Sequence, residues 1–391
     1  MSAVDTTWLQ EVLVELLRTP TQVPLGETEI RPGDARVASA VEEVVLPRIE
    51  ELNPSEVRRH PLGDIAARFG PPGDDGVLLQ TYIVSQHANL MEDPHAGRVV
   101  DGAPYGFEGP CVLGQGATQN TGPMSSALAA VRLLPQGELR RPVWLTVNTE
   151  GKSSHDGSRR ILEGLGVSAA FGILAFGTDL RVSLGNRGRI DVEVRIAGSS
   201  CHSSQPWLGS NPIEGAADVI RALRSTPLPD AYPDLGPASA TPYQFACSPI
   251  APHTIPSEVR MMVDRRLLPG EAPRGAADAI RVHLEDSLKG IDTSVHSGEY
   301  MLPAVVNPDS PVVRALLKGI AETTSSPGRT FWSPNTFDAG YPCSKGVPTV
   351  MFGAGRRVFS GDGLIGTDAV PIADCQIATR AMVLALQELC S

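Results

Sequence analysis

The sequence predicts an α/β protein in which a mainly parallel sheet is flanked by helices and carries an inserted α+β lid. Short apolar runs of strand length alternate with stretches of helical spacing, an order typical of a parallel sheet covered by helices. The order of the predicted strands and helices also changes between about Asn186 and His296. A chain of 391 residues is long enough for two domains, each with its own core.

The predicted strands of the larger domain are apolar along their whole length. They are GVLLQTYIV (76–84), PVWLTVNTE (142–150), GILAF (172–176) and PTVMFG (348–353). Helical spacing follows Pro123, begins again near Ser310, and returns after PTVMFG in a C-terminal helix. Ligands of such folds lie at the carboxyl ends of the parallel strands, so we expect the functional site there.

The middle of the chain has the strand and helix order of a small inserted domain. RIDVEVRIAG, NPIEGAADVIRALR, EVRMMVDRRLL, APRGAADAIRVHLEDSL and a last short strand give β-α-β-α-β. We therefore predict a catalytic-fold domain formed by residues 1–185 and 297–391, and a lid or dimerisation domain at 186–296.

Composition excludes several classes of partner. The net charge of −11, without a block of Lys or Arg, argues against nucleic acid and anionic membranes. The first residues carry acids where a signal peptide needs bases, and no apolar run reaches the roughly 18 residues of a membrane span. The six cysteines form no CxxC pair. We expect a cytoplasmic protein whose first helix buries Trp8, Leu9, Val12, Leu13, Leu16 and Leu17.

Six polar or Gly-rich stretches carry a family resemblance. They are SQHAN (85–89), GQGATQNTGP (114–123), TEGKSSHDGS (149–158), SSCHSSQPWLGSNPIEGA (199–216), HTIPSEVRMMVDRRLLPGE (253–271) and TFDAGYPCSKGVPTVMFGAG (336–355). Together they resemble the zinc-dependent peptidase and deacylase family of acetylornithine deacetylase, succinyl-diaminopimelate desuccinylase and aminoacylase. The resemblance spans about 76 to 390 and implies amide chemistry on a small, amino-acid-derived or peptide-like substrate.

The resemblance implies a dizinc site, but most of its ligands are absent here. In the family, two dications bound by His and carboxylate groups polarise the carbonyl and lower the pKa of a shared water. His87 matches the first His ligand, and Asn89 replaces the Asp that would orient it. Gln119 stands for the bridging Asp and Phe176 for a later carboxylate, and no histidine follows His296. We therefore predict no metal and no cofactor.

Glu150 is the predicted acid/base. It follows a predicted strand, and the spacing leaves open whether it matches the catalytic or the ligand Glu of the family. His202 matches a lid histidine that reaches across a dimer to the partner's substrate. Arg266 and Asn211 match positions that face the substrate, where a guanidinium pairs well with a carboxylate.

Further residues complete the predicted substrate site. Asp338 keeps a family acid, and His253 stands where the family has Asn. Phe176 either walls an apolar pocket or fills the emptied metal cavity, and filling is preferred. His155 and Asp156 suggest a local acid–base pair, although a solvated turn is the favoured interpretation. The predicted substrate-binding set is Arg266, Asn211, Gln119, Asn89, His253, Asp338 and Phe176.

The leading functional hypothesis is a metal-independent enzyme acting on an amide or aminoacyl group of a small carboxylate-bearing substrate. Glu150 would move protons, and His202 with His87 would stabilise the oxyanion. Hydrolysis, acyl transfer, condensation and cyclisation all remain open. One alternative is a pseudoenzyme that binds a peptide-like ligand, and another is a single-metal amidohydrolase using His87, Glu150 and His155. We expect a homodimer formed through the lid.

Overall fold

The computed structural model describes residues 3–24, 27, 29–85, 91–150, 154–356 and 368–391. It divides the chain into two compact units. The larger unit comprises Met1–Gly185, Ala304–Ser333 and Asp338–Ser391, and the smaller unit comprises Asn186–Pro303 and Pro334–Phe337. Within the described ranges, no helix combines the length and the hydropathy that a membrane span requires.

The strands are β1 Glu56–Arg59, β2 Ile65–Phe69, β3 Val77–Tyr82, β4 Arg98–Asp101, β5 Pro110–Leu113, β6 Val143–Asn148, β7 Phe171–Ala175, β8 Val182–Asn186, β9 Gly188–Ala197, β10 Cys201–His202, β11 Ser239–Ser248, β12 Thr254–Ile255, β13 Glu258–Leu267, β14 Thr293–Met301, β15 Ala304–Val305, β16 Thr330–Ser333, β17 Thr349–Phe352 and β18 Ala369–Pro371.

The α-helices are α1 Thr6–Leu17, α2 Ala35–Ala40, α3 Leu46–Glu50, α4 Gly122–Leu133, α5 Asp156–Arg159, α6 Pro212–Leu223, α7 Pro273–Ser287, α8 Pro311–Thr324, α9 Gly340–Ser344 and α10 Ile372–Cys390. Wider π-helical turns occupy Val41–Val45, Ala117–Thr121 and Arg160–Gly164, and 3-10 turns occupy Ala103–Tyr105, Gln136–Glu138 and Pro206–Leu208.

The main sheet of the larger unit has the strand order β1-β2-β6-β3-β7-β17. β6, β3, β7 and β17 run parallel to one another, whereas β1 and β2 are antiparallel to their neighbours. Because side chains alternate along a strand, Leu78 and Trp144 pack with Ile161 on one face, and Leu79 and Leu145 join the larger core on the other. Burial of both faces explains the continuously apolar strands.

Helices α1, α4, α8 and α10 cover the face of the sheet that holds the larger core. α1 begins at Asp5, whose side chain accepts the amide hydrogen of Trp8 at 3.0 Å and so caps the helix. The six apolar positions predicted for this helix are the ones it buries. Each fully buried Leu or Val contributes roughly 1.5–3 kcal/mol, so this face anchors the sheet.

The parallel strands place their carboxyl ends along one edge of the sheet. Ile83, Thr149, Phe176 and Gly353 follow β3, β6, β7 and β17 there. The backbone of the Ala117–Thr121 turn approaches the same edge so closely that a Cβ at Gly177 would lie 1.7 Å from the carbonyl oxygen of Thr118. Only glycine fits at position 177, because any side chain would push this turn away from β7.

The smaller unit is an antiparallel sheet of order β11-β13-β9-β14. One face is buried beneath α6 and α7, where Val192 and Val263 meet Val219 and Ile280. The predicted β-α-β-α-β order is wrong because it omits the short strands β10 and β12 and, at the edge of the sheet, β11. That edge strand is exposed along much of its length and contains Pro242, so it lacks the apolar alternation that indicates a strand. β14 also continues to Met301, beyond residue 296, where the lid is predicted to end.

Candidate active site

Glu150 lies two residues beyond the end of β6, at the carboxyl edge of the main sheet. Its Oε2 accepts the amide hydrogen of Gly157 at 2.6 Å, and its Oε1 accepts the hydroxyl hydrogen of Ser154. The amide of Glu150 itself donates to Asn148 Oδ1 at 2.7 Å. These contacts fix the carboxyl group between the end of β6 and the first turn of α5.

Gly157 is required by this arrangement. A Cβ at position 157 would lie 2.0 Å from Asn148 Oδ1, because the backbone of α5 runs directly over the amide of Asn148. A larger residue would therefore displace α5 and remove the amide hydrogen that Glu150 accepts.

The protonation of Glu150 differs from that of an ordinary glutamate. Burial and, after it, the negative charge of Asp338 raise the pKa of its carboxyl to about 7, although the hydrogen bonds from Ser154 and Gly157 act in the opposite direction. A carboxyl group with this pKa is present in both protonation states near neutral pH. It can therefore accept a proton and return it.

Asp338 joins the same cluster from a distant part of the chain. Its Oδ1 accepts a hydrogen bond from Ser158 Oγ at 3.2 Å and lies 3.3 Å from His155 Nδ1. Gln80 on β3 supports this contact, since its Nε2 donates to Ser158 Oγ at 2.7 Å. The structure thus brings Asp338, a predicted substrate residue, to the predicted acid/base Glu150.

The interpretation of His155 as part of a solvated turn is wrong. The residue is only 2% exposed, and its ring packs against that of Tyr341 with centroids 5.6 Å apart. Asp156 pairs with Arg159 at 3.1 Å, and His155 pairs with Asp338 at 3.3 Å. The partner is distant in sequence, which is why local spacing could not reveal it.

Gln119 and Phe176 meet at one aromatic residue, Tyr82 at the end of β3. Gln119 Nε2 donates to the Tyr82 hydroxyl at 3.4 Å, and the rings of Tyr82 and Phe176 stack with centroids 6.1 Å apart. Phe176 is 4% exposed. It is therefore packed into the carboxyl edge of the sheet, as a residue that fills space and not as the wall of an open pocket. Tyr82 was not singled out by the sequence.

The turn that carries Gln119 is anchored by a carboxylate that the sequence analysis did not identify. Asp368 accepts the amide hydrogens of Gly116 and Thr118 at 2.7 and 2.8 Å, and the hydroxyl of Thr118 at 2.6 Å. Asp368 is buried, so these donors compensate for the loss of water around its charge. The contacts fix the backbone next to Gln119.

The described residues do not fit the dizinc centre that the family resemblance implies. Gln119 offers a neutral amide that binds Tyr82, and Phe176 offers no donor at all. Across the described ranges, no group of three or more His, Cys, Asp or Glu side chains is arranged to hold a metal ion. His87 and Asn89, and the segment 357–367 where the last family ligand would fall, lie outside the described residues.

His202 and His253 lie side by side in the smaller unit. Their rings stack with centroids 6.2 Å apart, and the amide of Ser203 donates to the carbonyl oxygen of His253 at 2.8 Å. Both side chains are at least partly exposed. The pairing of β10 with β12 brings them together, because His202 is opposite Thr254 in the register.

Arg266 and Asn211 already have partners within the smaller unit. Arg266 pairs with Asp264 at 2.7 Å and donates to Thr336 Oγ1 at 3.0 Å. Asn211 caps α6, where its Oδ1 accepts the amide hydrogen of Ile213 at 3.1 Å. A substrate role for either residue therefore remains a prediction, and any such role competes with these contacts.

Comparison with known sequences identifies the smaller unit. The family model described as "Peptidase dimerisation domain" (M20_dimer) matches residues 184–292. Succinyl-diaminopimelate desuccinylase of Phenylobacterium zucineum is 23% identical over 272 residues, which cover 66% of this chain and 68% of that protein. YgeY of Escherichia coli K12, described as uncharacterized, is 24% identical over 280 residues, and the chain spans 65% of its length.

Solved structures share the fold over nearly the whole chain. The M20 family metallo-carboxypeptidase Sso-CP2 of Sulfolobus solfataricus superposes with a TM-score of 0.74 at 16% identity, covering 97% of this chain and 99% of that one. Human carnosine dipeptidase 1 also gives a TM-score of 0.74, at 14% identity, with 98% and 96% covered. The α/β fold with an inserted α+β domain, as the sequence predicts, is therefore confirmed.

Proposed function

We propose that this chain is a member of the family of M20 peptidases and deacylases, whose dimerisation-domain model matches residues 184–292, and that it acts on an amide or aminoacyl group of a small carboxylate-bearing substrate without a dizinc centre. Homologues of the chain are peptidases and hydrolases, so the reaction class is hydrolase-like. The observation that carries the proposal is the environment of Glu150, a largely buried carboxyl group whose pKa is raised to about 7.

Glu150 can supply both proton transfers of amide hydrolysis. As a base it takes a proton from water while the water oxygen bonds to the carbonyl carbon. As an acid it returns that proton to the leaving nitrogen when the carbon–nitrogen bond breaks. His202 and His87 are proposed to stabilise the oxyanion. If an amine or hydroxyl attacks in place of water, Glu150 passes its proton to the leaving nitrogen, which gives acyl transfer, or cyclisation when the attacking group belongs to the same molecule. In condensation, the reverse of hydrolysis, an amine attacks a carboxyl carbon and Glu150 returns the proton to the oxygen that leaves as water.

The neutral character of the neighbouring residues supports a metal-independent centre. A bridging carboxylate that holds no dication would be repelled by Glu150 and Asp338, whereas the amide of Gln119 adds no charge. Phe176, which by the family resemblance stands for another carboxylate, packs against Tyr82. Both substitutions lower the electrostatic cost of a cluster that binds no cation.

The substrate and the partner follow from the relatives and from the lid. Relatives named as a desuccinylase and a carnosine dipeptidase suggest N-acyl amino acids and dipeptides as substrates. Because the smaller unit matches a dimerisation domain, we propose a homodimer formed through it. The exposed edge strand β11, with Tyr243 and Phe245 each 49% exposed, is the surface we assign to the second copy.

A product screen with three proteins tests the proposal. Parent, Glu150→Gln and Glu388→Gln are incubated with N-acetyl and N-succinyl amino acids and with dipeptides, and products are detected by mass. Glu388 is exposed and pairs with the surface residue Lys318, so its variant is the matched control. We expect product from the parent and the control, and a loss of roughly 10²- to 10⁴-fold for Glu150→Gln.

Other outcomes of the screen favour the alternatives. A Glu150→Gln variant as active as the parent would exclude Glu150 as the proton-transfer group. Absence of product from the parent, together with saturable calorimetric binding of the same compounds, would indicate a ligand-binding pseudoenzyme. Activity that a chelator abolishes and added zinc restores would indicate a metal-dependent hydrolase.

A further inference from the structure

Asp64 is a buried carboxylate that contacts both ends of the segment containing Glu150. Its Oδ1 accepts the amide and hydroxyl hydrogens of Thr149, each at 2.9 Å. The same oxygen lies 3.2 Å from Arg160 Nη2, and Oδ2 accepts the Nε hydrogen of Arg160. Thr149 immediately precedes Glu150, and Arg160 follows α5, whose Gly157 amide Glu150 accepts.

The topology of the sheet explains why Asp64 reaches this segment. β2 is antiparallel to β6 with Ile65 opposite Val147, so the residue before β2 lies beside the residues that follow β6. The Asp64 side chain has no exposed surface, whereas that of Arg160 is 15% exposed. Because a buried carboxylate without a counter-charge is costly, moving Arg160 away from Asp64 would be unfavourable. The pair therefore stabilises the conformation in which Thr149 and Arg160 both contact Asp64.

We propose that Asp64 is a positioning residue, which fixes the carboxyl group of Glu150 by binding Thr149 on one side and Arg160 on the other. This inference rests on the proposed function, because it assumes that the geometry of Glu150 matters for turnover. Asp64 moves no proton and contacts no substrate in this account. It determines where the acid/base group is held, and misplacement of such a group by about 1 Å lowers turnover by up to roughly 10²-fold.

The smaller unit contains a matched control for this arrangement. Glu271 likewise pairs with an arginine, the buried Arg265, and accepts an amide hydrogen just beyond the end of a strand, from Leu268 at 2.7 Å. The contacts of this carboxylate with Arg265 and Leu268 lie within the smaller unit, whereas Glu150 belongs to the larger one. Substitution of Glu271 therefore disturbs an equivalent buried ion pair without moving the proposed acid/base.

Steady-state kinetics on Asp64→Asn, Thr149→Val and Glu271→Gln separates positioning from general stability. We expect kcat to fall roughly 10- to 100-fold in Asp64→Asn and about 10-fold in Thr149→Val, with KM within about two-fold of the parent. Thr149→Val keeps all charges and removes the hydroxyl that donates to Asp64, so it tests this hydrogen bond even if Asp64→Asn does not fold. Glu271→Gln should lower the melting temperature while leaving kcat within about two-fold.

Equal kcat in the parent and both site variants would overturn the inference, as would an equal loss of kcat in Glu271→Gln. Amide hydrogen exchange gives a readout that needs no turnover. If Asp64 holds the segment, exchange across residues 154–160 is faster in Asp64→Asn and Thr149→Val than in the parent, and unchanged in Glu271→Gln. A parent without activity would refute the proposed function, and unchanged exchange would refute the positioning role of Asp64.

Discussion

The imidazole of His155 lies against the carboxylate of Asp338, with Nδ1 3.3 Å from Oδ1, although 183 residues separate the two in sequence. His155 is fully enclosed, and Asp338 is the charged group that raises the pKa of Glu150 after burial itself. The contact therefore joins the turn after β6 to the third chain segment of the larger unit. Two carboxyl groups and one imidazole meet at the edge of the sheet where ligands bind in such folds.

The pH dependence of turnover should report the raised pKa of Glu150. A general base must be ionised to accept a proton from water, so kcat/KM should rise with pH and reach half its maximum near pH 7. An ordinary glutamate would give this midpoint near 4.5. Initial rates between pH 4 and 9 measure it, and a midpoint near 4.5 would contradict the assignment.

Substitution of Asp338 tests the cause of that raised pKa. Asp338→Asn removes a neighbouring negative charge, so the midpoint should move to lower pH. It should remain above 4.5 because burial, the larger cause, is unchanged. Asp156→Asn, which removes the weaker of the two charge effects, should shift the midpoint less. Equal shifts in the two variants would show that Asp338 has no special relationship to Glu150.

His155 should matter for both stability and turnover. His155→Phe keeps a ring against Tyr341 but loses the contact with Asp338, which should lower the free energy of unfolding by about 1–3 kcal/mol. We also expect kcat to fall about 10-fold or more as Asp338 shifts. His155→Gln restores a side-chain donor and should recover part of kcat.

His283→Phe provides the comparison for this prediction. His283 Nε2 lies 3.0 Å from the carbonyl oxygen of Ala222 in the smaller unit, so its substitution also removes a half-buried imidazole contact. Denaturant unfolding and steady-state kinetics are measured on both variants. If His283→Phe reduced kcat as strongly as His155→Phe, the effect would be one of general destabilisation.

The elements that the sequence predicts best are those whose pattern has a single physical cause. β3, β6, β7 and β17 are buried on both faces, so each is a continuous apolar run. α1 alternates with helical spacing because one side faces the core. β11 has neither property, since it lies at an edge with much of its surface exposed, and its side chains carry no periodic signal.

The site is less predictable because its contacts join distant segments. Glu150 was identifiable from its place after a strand, and Gln119 and Phe176 from the family resemblance. Tyr82 and Asp64 carry no local signal, since the end of any strand offers similar residues, and only the sheet order shows which side chains they meet. Long-range pairing cannot be inferred from the spacing of residues within one segment.

The lid should associate through β11. Phe245 is 49% exposed on this edge strand, and an exposed apolar edge favours pairing with a second copy. Phe245→Glu should convert a dimer to a monomer at roughly micromolar concentration, because a buried unpaired charge opposes the interface. His296→Glu places the same charge on β14, the opposite edge, and should leave the dimer intact. Light scattering gives the masses, and a monomeric parent would refute the proposal.

Metal content should distinguish this chain from enzymes with the dizinc centre that the family resemblance implies. A catalytic zinc needs about three protein ligands, whereas the described part of this edge offers the amide of Gln119 and the ring of Phe176, both engaged with Tyr82. We expect the purified protein to carry less than one equivalent of zinc, manganese or cobalt by elemental analysis. Chelators should leave its activity unchanged.

The Gln119→Asp variant tests the prediction of low metal content with one family ligand restored. The new carboxylate would restore one family ligand, yet Phe176 would still occupy the neighbouring position and no histidine follows His296 to complete the set. Metal content should therefore stay below one equivalent in Gln119→Asp, whereas a dizinc desuccinylase purified in parallel should retain about two. Two metal ions bound per chain of the parent, or a single Gln119→Asp substitution that restores tight binding, would show that the remaining residues still form a metal site. In that case Glu150 would be a ligand, and the pH dependence expected for a free carboxyl group would disappear on adding metal.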